Sequence, residues 1–205
     1  MKSETRINPL VADAIVRIST SGGHGVLVPG GMILTAARCI DFSTTGGMVL
    51  GDHFIEEIET HIGRIKARPM IVEPVTDVAV LGCPDDQFFP DDADTFEKFC
   101  ETTIPIPLAR QRIKYRHPFE VRIRDKDGTW MNGIAETFNQ SSPMLWIASD
   151  REIKGGASGG PILNTAGELV AIISNSSSPS AEKSIGRCPR PLKALPVWIC
   201  QEISS

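Results

Sequence analysis

The sequence predicts an all-β chain built in two halves. Three observations carry this. Short apolar segments recur with turn residues between them, as strands of small barrels do. The 205 residues include 18 glycines and 15 prolines, more than the average usage of about 7% Gly and 5% Pro, which favours turns over long helices. Finally, the charge pattern breaks in mid-chain. Residues 85–101 hold seven acids and one lysine, whereas residues 110–126 hold seven bases and two acids.

Taken in order, residues 14–19, 25–28 and 32–36 read as strands, with Pro29-Gly30-Gly31 turning the chain between the second and third. Residues 48–50, 62–72 (interrupted near Pro69) and 78–82 complete a first series. The acidic stretch then reads as an exposed connector. A second series follows at 119–123, 130–138, 144–148, 161–164 and 169–174, with turns at Lys126-Asp127-Gly128 and Thr165-Ala166-Gly167. One helix is expected, at the C-terminus over 191–202. There Leu192, Leu195, Trp198 and Ile199 share a face and Pro191 stands near the start. The expected divisions are 8–84, a connector at 85–104, a second half at 105–190 and the helix, all in one domain.

Composition excludes several function classes. The net charge of −4 gives no global footprint for nucleic acid or an anionic surface. No apolar run approaches the roughly 18–20 residues of a membrane span. The first ten residues are polar and lack the apolar core of a secretory leader. The cysteines, Cys39, Cys83, Cys100, Cys188 and Cys200, are odd in number and form no C-x-x-C pair. That pattern reads as free thiols in a reducing compartment, so a cytoplasmic location is expected. No clustered thiolates and imidazoles offer a zinc site, and no metal or other cofactor is expected.

The strongest chemical signal is Gly155-Gly156-Ala157-Ser158-Gly159-Gly160-Pro161. Glycines let the backbone turn tightly and let a substrate carbonyl approach main-chain N–H groups. With Ser158 as a nucleophile, the N–H groups of Gly156 and Ser158 are placed for an oxyanion hole. The competing reading is a glycine-rich hairpin turn. The stretch also satisfies G-x-S-x-G, but an α/β-hydrolase needs an acid and then a histidine after its serine. The last histidine, His117, precedes Ser158.

The opposite order, base then acid then serine, fits upstream blocks. Thr35-Ala36-Ala37-Arg38-Cys39 comes first and Thr76-Asp77-Val78-Ala79-Val80-Leu81 second. With the Ser158 block, these resemble the T-A-A-H-C, D-[VI]-A-[VL]-L and G-x-S-G-G-P blocks of trypsin-like (chymotrypsin-fold) serine peptidases. The resemblance runs from about Gly23 to Ser174. It implies two six-stranded antiparallel β-barrels with an active site in the cleft between them. Base and acid would come from the first barrel, and the nucleophile from the second. It further implies that Ser174 supports Asp77 by a hydrogen bond. Residues Ser174, Asn175 and Ser176 would pair with substrate backbone as an edge strand, and Glu152 would lie at the base of the specificity pocket, with Lys154 close enough to neutralise it.

Three departures from that pattern matter. Arg38 stands where the family has its catalytic histidine. Guanidinium has five donors, no acceptor and a pKa above about 12, so it cannot take the serine proton. A charge-assisted pair with Asp77 is expected instead. Ala157 replaces the acid that secreted members pair with a new N-terminus on activation, so control of that kind is not expected. The disulfide partner of Cys39 would fall near Gly23, so that bridge is absent.

Other features are weaker. A hairpin through Pro29-Gly30-Gly31 would set His24 beside Ala36, near the site. A solvated strand-end histidine is the preferred reading over a substitute base. Arg110, Arg112, Lys114 and Arg116 alternate and share a strand face. A solvated face, or one paired with the acidic connector or a partner protein, is favoured over nucleic acid, because stacking aromatics are missing. Two functions therefore remain. One is a serine endopeptidase whose base is replaced, leaving this chain inert or nearly so. The other is a pseudoprotease that binds a protein or peptide. Arg38 decides between enzyme and binding module.

Overall fold

The computed structural model describes residues 11–40, 55–74, 76–109, 117–137, 144–151, 153–174 and 189–193. The first half is a closed barrel in the order β1-β2-β3-β6-β5-β4. Its strands are β1 (Ile15–Ile18), β2 (His24–Val28), β3 (Met32–Thr35), β4 (Glu56–Thr60), β5 (Gly63–Glu73) and β6 (Val78–Gly82). The turn at Gly30 and Gly31, both at positive φ, pairs Val28 with Met32 in the expected register. β2 and β6 are buried at every position. Val16, Ile18, Leu27, Ile33, Ile58 and Leu81 share one face of these ladders and are buried in the barrel.

Strand β4 was not expected. Its sequence, Glu-Glu-Ile-Glu-Thr, offers one apolar residue, yet Ile58 is buried and the strand pairs with both β1 and β5. Barrel closure supplies a partner that the local pattern does not signal. The expected strand at 48–50 lies outside the described residues. In β5 the register shifts between Pro69 and Ile71, matching the interruption expected at Pro69.

The acidic connector is not merely an exposed link. Residues Pro90–Thr102 form α1, the one helix of its length among the described residues. Pro90 opens it at a position where its missing N–H is not needed, and Asp91 and Asp92 sit in the first turn, where the helix dipole favours negative charge. Ala93, Phe96 and Phe99 share a buried face, and the helix packs against β5. The abundance of acids masked this i, i+3, i+6 stripe. Lys66 Nζ to Asp92 Oδ2 at 3.0 Å and Arg68 to Asp85 at 3.9 Å pair β5 with the connector. Residues 110–116 lie outside the described residues.

The second half does not confirm the expectation of a second barrel. It is a six-stranded sheet in the order β11-β10-β7-β8-β9-β12. The strands are β7 (Phe119–Arg124), β8 (Trp130–Thr137), β9 (Met144–Ser149), β10 (Pro161–Asn164), β11 (Leu169–Ile172) and β12 (Pro189–Lys193). No ladder among the described residues joins its edges β11 and β12. Strand β12 corrects the expected C-terminal helix over its first residues. Proline at 189 and 191 biases each preceding residue toward extended backbone. An edge strand tolerates prolines that donate no hydrogen bond, and Pro189–Lys193 pairs antiparallel with β9. Residues 194–202 lie outside the described residues.

The two halves are joined along a seam. Leu163, Leu169 and Ile172 of the sheet belong to the barrel's core cluster. Past α1, the Ile106 N–H donates to the Leu27 carbonyl at 2.9 Å, and Ala109 to the Leu169 carbonyl at 2.9 Å. No helix among the described residues is long and apolar enough to cross a membrane.

Candidate active site

The ends of β3, β6 and β11 converge on Asp77. Past β3 the chain makes one 3-10 turn, Ala37–Cys39, which carries Arg38. Asp77 precedes β6 and takes φ 57°, a left-handed conformation that Asp tolerates better than most residues. This turns its carboxylate into the seam, 9% exposed. Arg38 donates to it through its main-chain N–H, to Oδ1 at 3.1 Å, and through Nε, to Oδ2 at 2.9 Å. Arg38 Nη2 pairs with the same Oδ2. Ser174, 1% exposed, donates its hydroxyl to Oδ2 at 2.8 Å. The expected pairing of Arg38 with Asp77, and of Ser174 with Asp77, is thus what the fold builds. The Arg38 side chain is 36% exposed, so the pair lies at the mouth of the seam rather than in the core.

Ser158 lies on the turn that leads into β10. Gly156 has φ +92° and Gly159 φ +77°, conformations in which a side chain is strained. At Gly159 a β-carbon would also collide with the His24 carbonyl oxygen and lie 2.6 Å from Thr35 Oγ1. Glycine there lets the Ser158 turn press directly against the barrel. The His24 N–H donates to the Ser158 carbonyl at 2.7 Å, and the Gly159 N–H to the Ile173 carbonyl at 2.7 Å. The N–H groups of Ala157 and Gly160 are also taken within the turn. Among the described residues, no acceptor takes the N–H of Gly156 or of Ser158. These are the two donors expected to form an oxyanion hole.

His24 sits where the hairpin register requires, opposite Arg17 in the β1–β2 ladder. It is 8% exposed, which corrects the expectation of a solvated strand-end histidine. Its carbonyl accepts the Thr35 hydroxyl at 2.6 Å. Burial, then the neighbouring Arg124, hold its pKa below the usual histidine value. Sequence reasoning placed His24 near the site but not inside the contact between barrel and turn. Two glycines flanking a histidine give no periodic signal of burial.

Gly23 packs on Cys39, since a β-carbon on Gly23 would strike the Cys39 sulfur. That is the position the resemblance gave for the disulfide partner of Cys39. Cys39, Cys83 and Cys100 are free thiols, and burial raises the pKa of each, that of Cys100 to about 11. No group of three or more His, Cys, Asp or Glu side chains able to hold a metal occurs among the described residues. Glu152, Asn175 and Ser176, expected to bind substrate, lie outside the described residues. Asp125 escaped sequence reasoning. It is a 5% exposed carboxylate beside the 126–128 turn, and nothing distinguishes it in sequence from a turn-flanking polar residue.

The chain thus combines a closed six-stranded barrel with a second β-sheet, and the Gly159 N–H beside Ser158 is bonded to Ile173, next to the Ser174 that binds Asp77. No family model matches the chain, and no curated protein matches it by sequence. Among solved structures it is similar to the active form of the Rv3671c protease from M. tuberculosis. That comparison has a TM-score of 0.59 and 14% identity, covering 96% of this chain and 83% of the other. It is also similar to the inactive form of a serine-to-alanine mutant of Rv3671c from M. tuberculosis H37Rv. There the TM-score is 0.55 and the identity 15%, covering 91% of this chain and 85% of the other. At such identities the likeness establishes the fold.

Proposed function

We propose that the chain is a serine-endopeptidase scaffold with Ser158 as its nucleophile, held inert or nearly so because Arg38 occupies the place of the general base. The single observation that carries this is the grip of Arg38 on Asp77. In a serine peptidase the acid orients a neutral imidazole, which accepts the serine proton and later returns it to the leaving amine. Here the carboxylate that would orient the base holds a guanidinium. That group has no lone pair to accept a proton and stays charged at all working pH values. Attack by Ser158 on a peptide carbonyl would form the acyl-enzyme only if its proton had somewhere to go. Loss of one triad member costs about 10⁴–10⁶ in rate, leaving a residue of catalysis from the oxyanion hole and binding.

The remaining parts favour peptide-bond chemistry. Gly156 and Ser158 keep main-chain donors available on the turn, and Ser174 completes the acid's hydrogen bonds. The ligand class is a peptide or protein. A cytoplasmic setting belongs to the same proposal, supported by the thiols that are free among the described cysteines. The test is Arg38→His. Restoring an imidazole beside Asp77 raises hydrolysis of a broad peptide library by about 10³-fold or more. A folded Arg38→His protein that stays silent on that library rejects the reading.

A second reading, a pseudoprotease that holds a peptide or protein, is favoured by the same contact seen as construction. Arg38 places both Nε and Nη2 on Asp77 Oδ2, a two-donor, permanently charged tie between the β3 and β6 ends that a single imidazole N–H would not reproduce. Peptide binding by the unmodified chain, with Arg38→His silent, supports this alternative.

A further inference from the structure

The turn that carries Ser158 needs a fixed shape if Gly156 and Ser158 are to present their N–H groups together. Its own residues supply little to fix it. Gly155 and Gly156 are exposed glycines, and Ala157, buried at 1%, has no side-chain donor or acceptor. The anchor comes from outside the turn. Asp125 follows β7 directly and is 5% exposed. Its Oδ1 accepts the Lys126 N–H at 2.9 Å and the Lys154 N–H at 3.3 Å. Its Oδ2 faces Lys154 Nζ at 4.0 Å, and the exposed Asp127 takes the same ammonium at 3.4 Å.

We propose that Asp125 is a positioning residue, whose buried carboxylate clamps the main chain of Lys154 and so sets the shape of the Ser158 turn. The connection is continuous. Lys154 receives the clamp at its N–H, and its carbonyl accepts the Ala157 N–H at 3.4 Å, which closes the turn over Gly155 and Gly156. The far end is fixed separately, where the His24 N–H holds the Ser158 carbonyl at 2.7 Å. The turn is thus held at its start by the β7 corner and at its end by the barrel. The β7 corner also packs beneath it. A β-carbon on Gly156 would lie 3.5 Å from the Lys126 side chain. Asp125 is itself rigid, because its N–H donates to the Thr129 carbonyl at 2.9 Å and its own carbonyl accepts the Gly128 N–H at 3.0 Å. The anchoring carboxylate therefore comes from the strand corner beside the turn, not from the residue before the serine.

The catalytic meaning of this clamp rests on the reading of Ser158 as the nucleophile, so the test has two arms. In the unmodified chain, residue-resolved amide hydrogen exchange is measured over 153–160. Asp125→Ala speeds exchange at Lys154 and Ala157 by about tenfold or more, while β2 and β6 keep their protection. Asp125→Asn retains an acceptor oxygen for both main-chain bonds, and Lys154→Ala retains the clamped N–H, so both keep the protection. Unchanged exchange in Asp125→Ala overturns the proposal. So does loss of protection in either of the other two variants, which would make the Lys154 ion pair the anchor. If Asp125→Ala fails to fold, those two variants still decide between clamp and ion pair. The second arm uses the Arg38→His background. There Asp125→Ala lowers kcat by about tenfold or more with KM little changed, and Asp125→Asn restores it. An unchanged kcat overturns the catalytic part of the proposal. Silence of Arg38→His itself rejects the peptidase reading, while the exchange arm still judges Asp125.

Discussion

Arg38 meets Asp77 with both its backbone and its side chain: the main-chain N–H reaches Oδ1 at 3.1 Å while Nε reaches Oδ2 at 2.9 Å. Two donors from one residue on two oxygens of one carboxylate fix the 3-10 turn after β3 against the start of β6. Ser174 adds a donor from the end of β11, at 2.8 Å. One carboxylate thereby joins three segments far apart in sequence.

Truncating that carboxylate tests how much the junction contributes. Asp77→Ala leaves the Ser174 hydroxyl buried without its acceptor and removes the carboxylate that the Arg38 guanidinium holds. An unmade buried hydrogen bond costs about 1–3 kcal/mol. The ion pair adds less than a fully buried one because Arg38 is 36% exposed. Alanine at φ 57° adds about 1–2 kcal/mol. Urea denaturation should therefore show Asp77→Ala destabilised by about 2–5 kcal/mol. Asp77→Asn, which keeps an acceptor and tolerates the left-handed backbone, should lose about half of that or less. Equal losses in the two variants would contradict the assignment.

Gly159 is the point of closest approach between the Ser158 turn and the barrel. Its φ of +77° and the His24 carbonyl leave no room for a β-carbon. Gly159→Ala should cost at least about 2 kcal/mol in the same denaturation assay, from backbone strain and overpacking together. It should also loosen the bond from the His24 N–H to the Ser158 carbonyl, seen as faster amide exchange at His24. Gly167, also at positive φ, has open space around its missing β-carbon and serves as the control.

His24 predicts a pH dependence. Burial and Arg124, with a smaller push from Arg17, lower its pKa below 6.5, against opposing effects of the Gly156 main chain and Asp125. The unfolded chain then binds more protons at this site than the folded chain wherever the two differ. Stability from a neutral, buried His24 is present above pH 6.5 and is lost as pH falls from 6.5 through the depressed folded value. Replacing the ring by His24→Asn removes a titrating group and should flatten the fall in unfolding free energy between about pH 7 and pH 5. Parallel stability profiles for the two proteins would refute the assignment.

Much of the fold was legible because it follows from local chemistry. Pro29-Gly30-Gly31 could only turn the chain, and the register it imposes, Val28 opposite Met32, is the one found. Strands β6 and β10 are short apolar runs bounded by turn signals. Where the local pattern was ambiguous, packing decided. Strand β4 has a single core-facing isoleucine among acids and exists because a barrel edge needed closing. Helix α1 hides Phe96 and Phe99 among acids that face outward. Pro191 fits the first turn of a helix as well as an edge strand, and β9 offers the edge.

The candidate site divides in the same way. Residue identity alone determined that Arg38 cannot accept a proton, because guanidinium has no free lone pair in any fold. It also determined that glycines around Ser158 permit a tight, donor-rich turn. Tertiary structure made the contact that the family resemblance implied, Ser174, 97 residues away in sequence, on Asp77. It alone buried His24 in the contact with the Ser158 turn, and it alone brought the Asp125 carboxylate to the Lys154 main chain. The reason is physical. Proton chemistry and backbone freedom belong to single residues, whereas hydrogen-bond partners and burial are set by which distant segments the closed barrel and the second sheet press together.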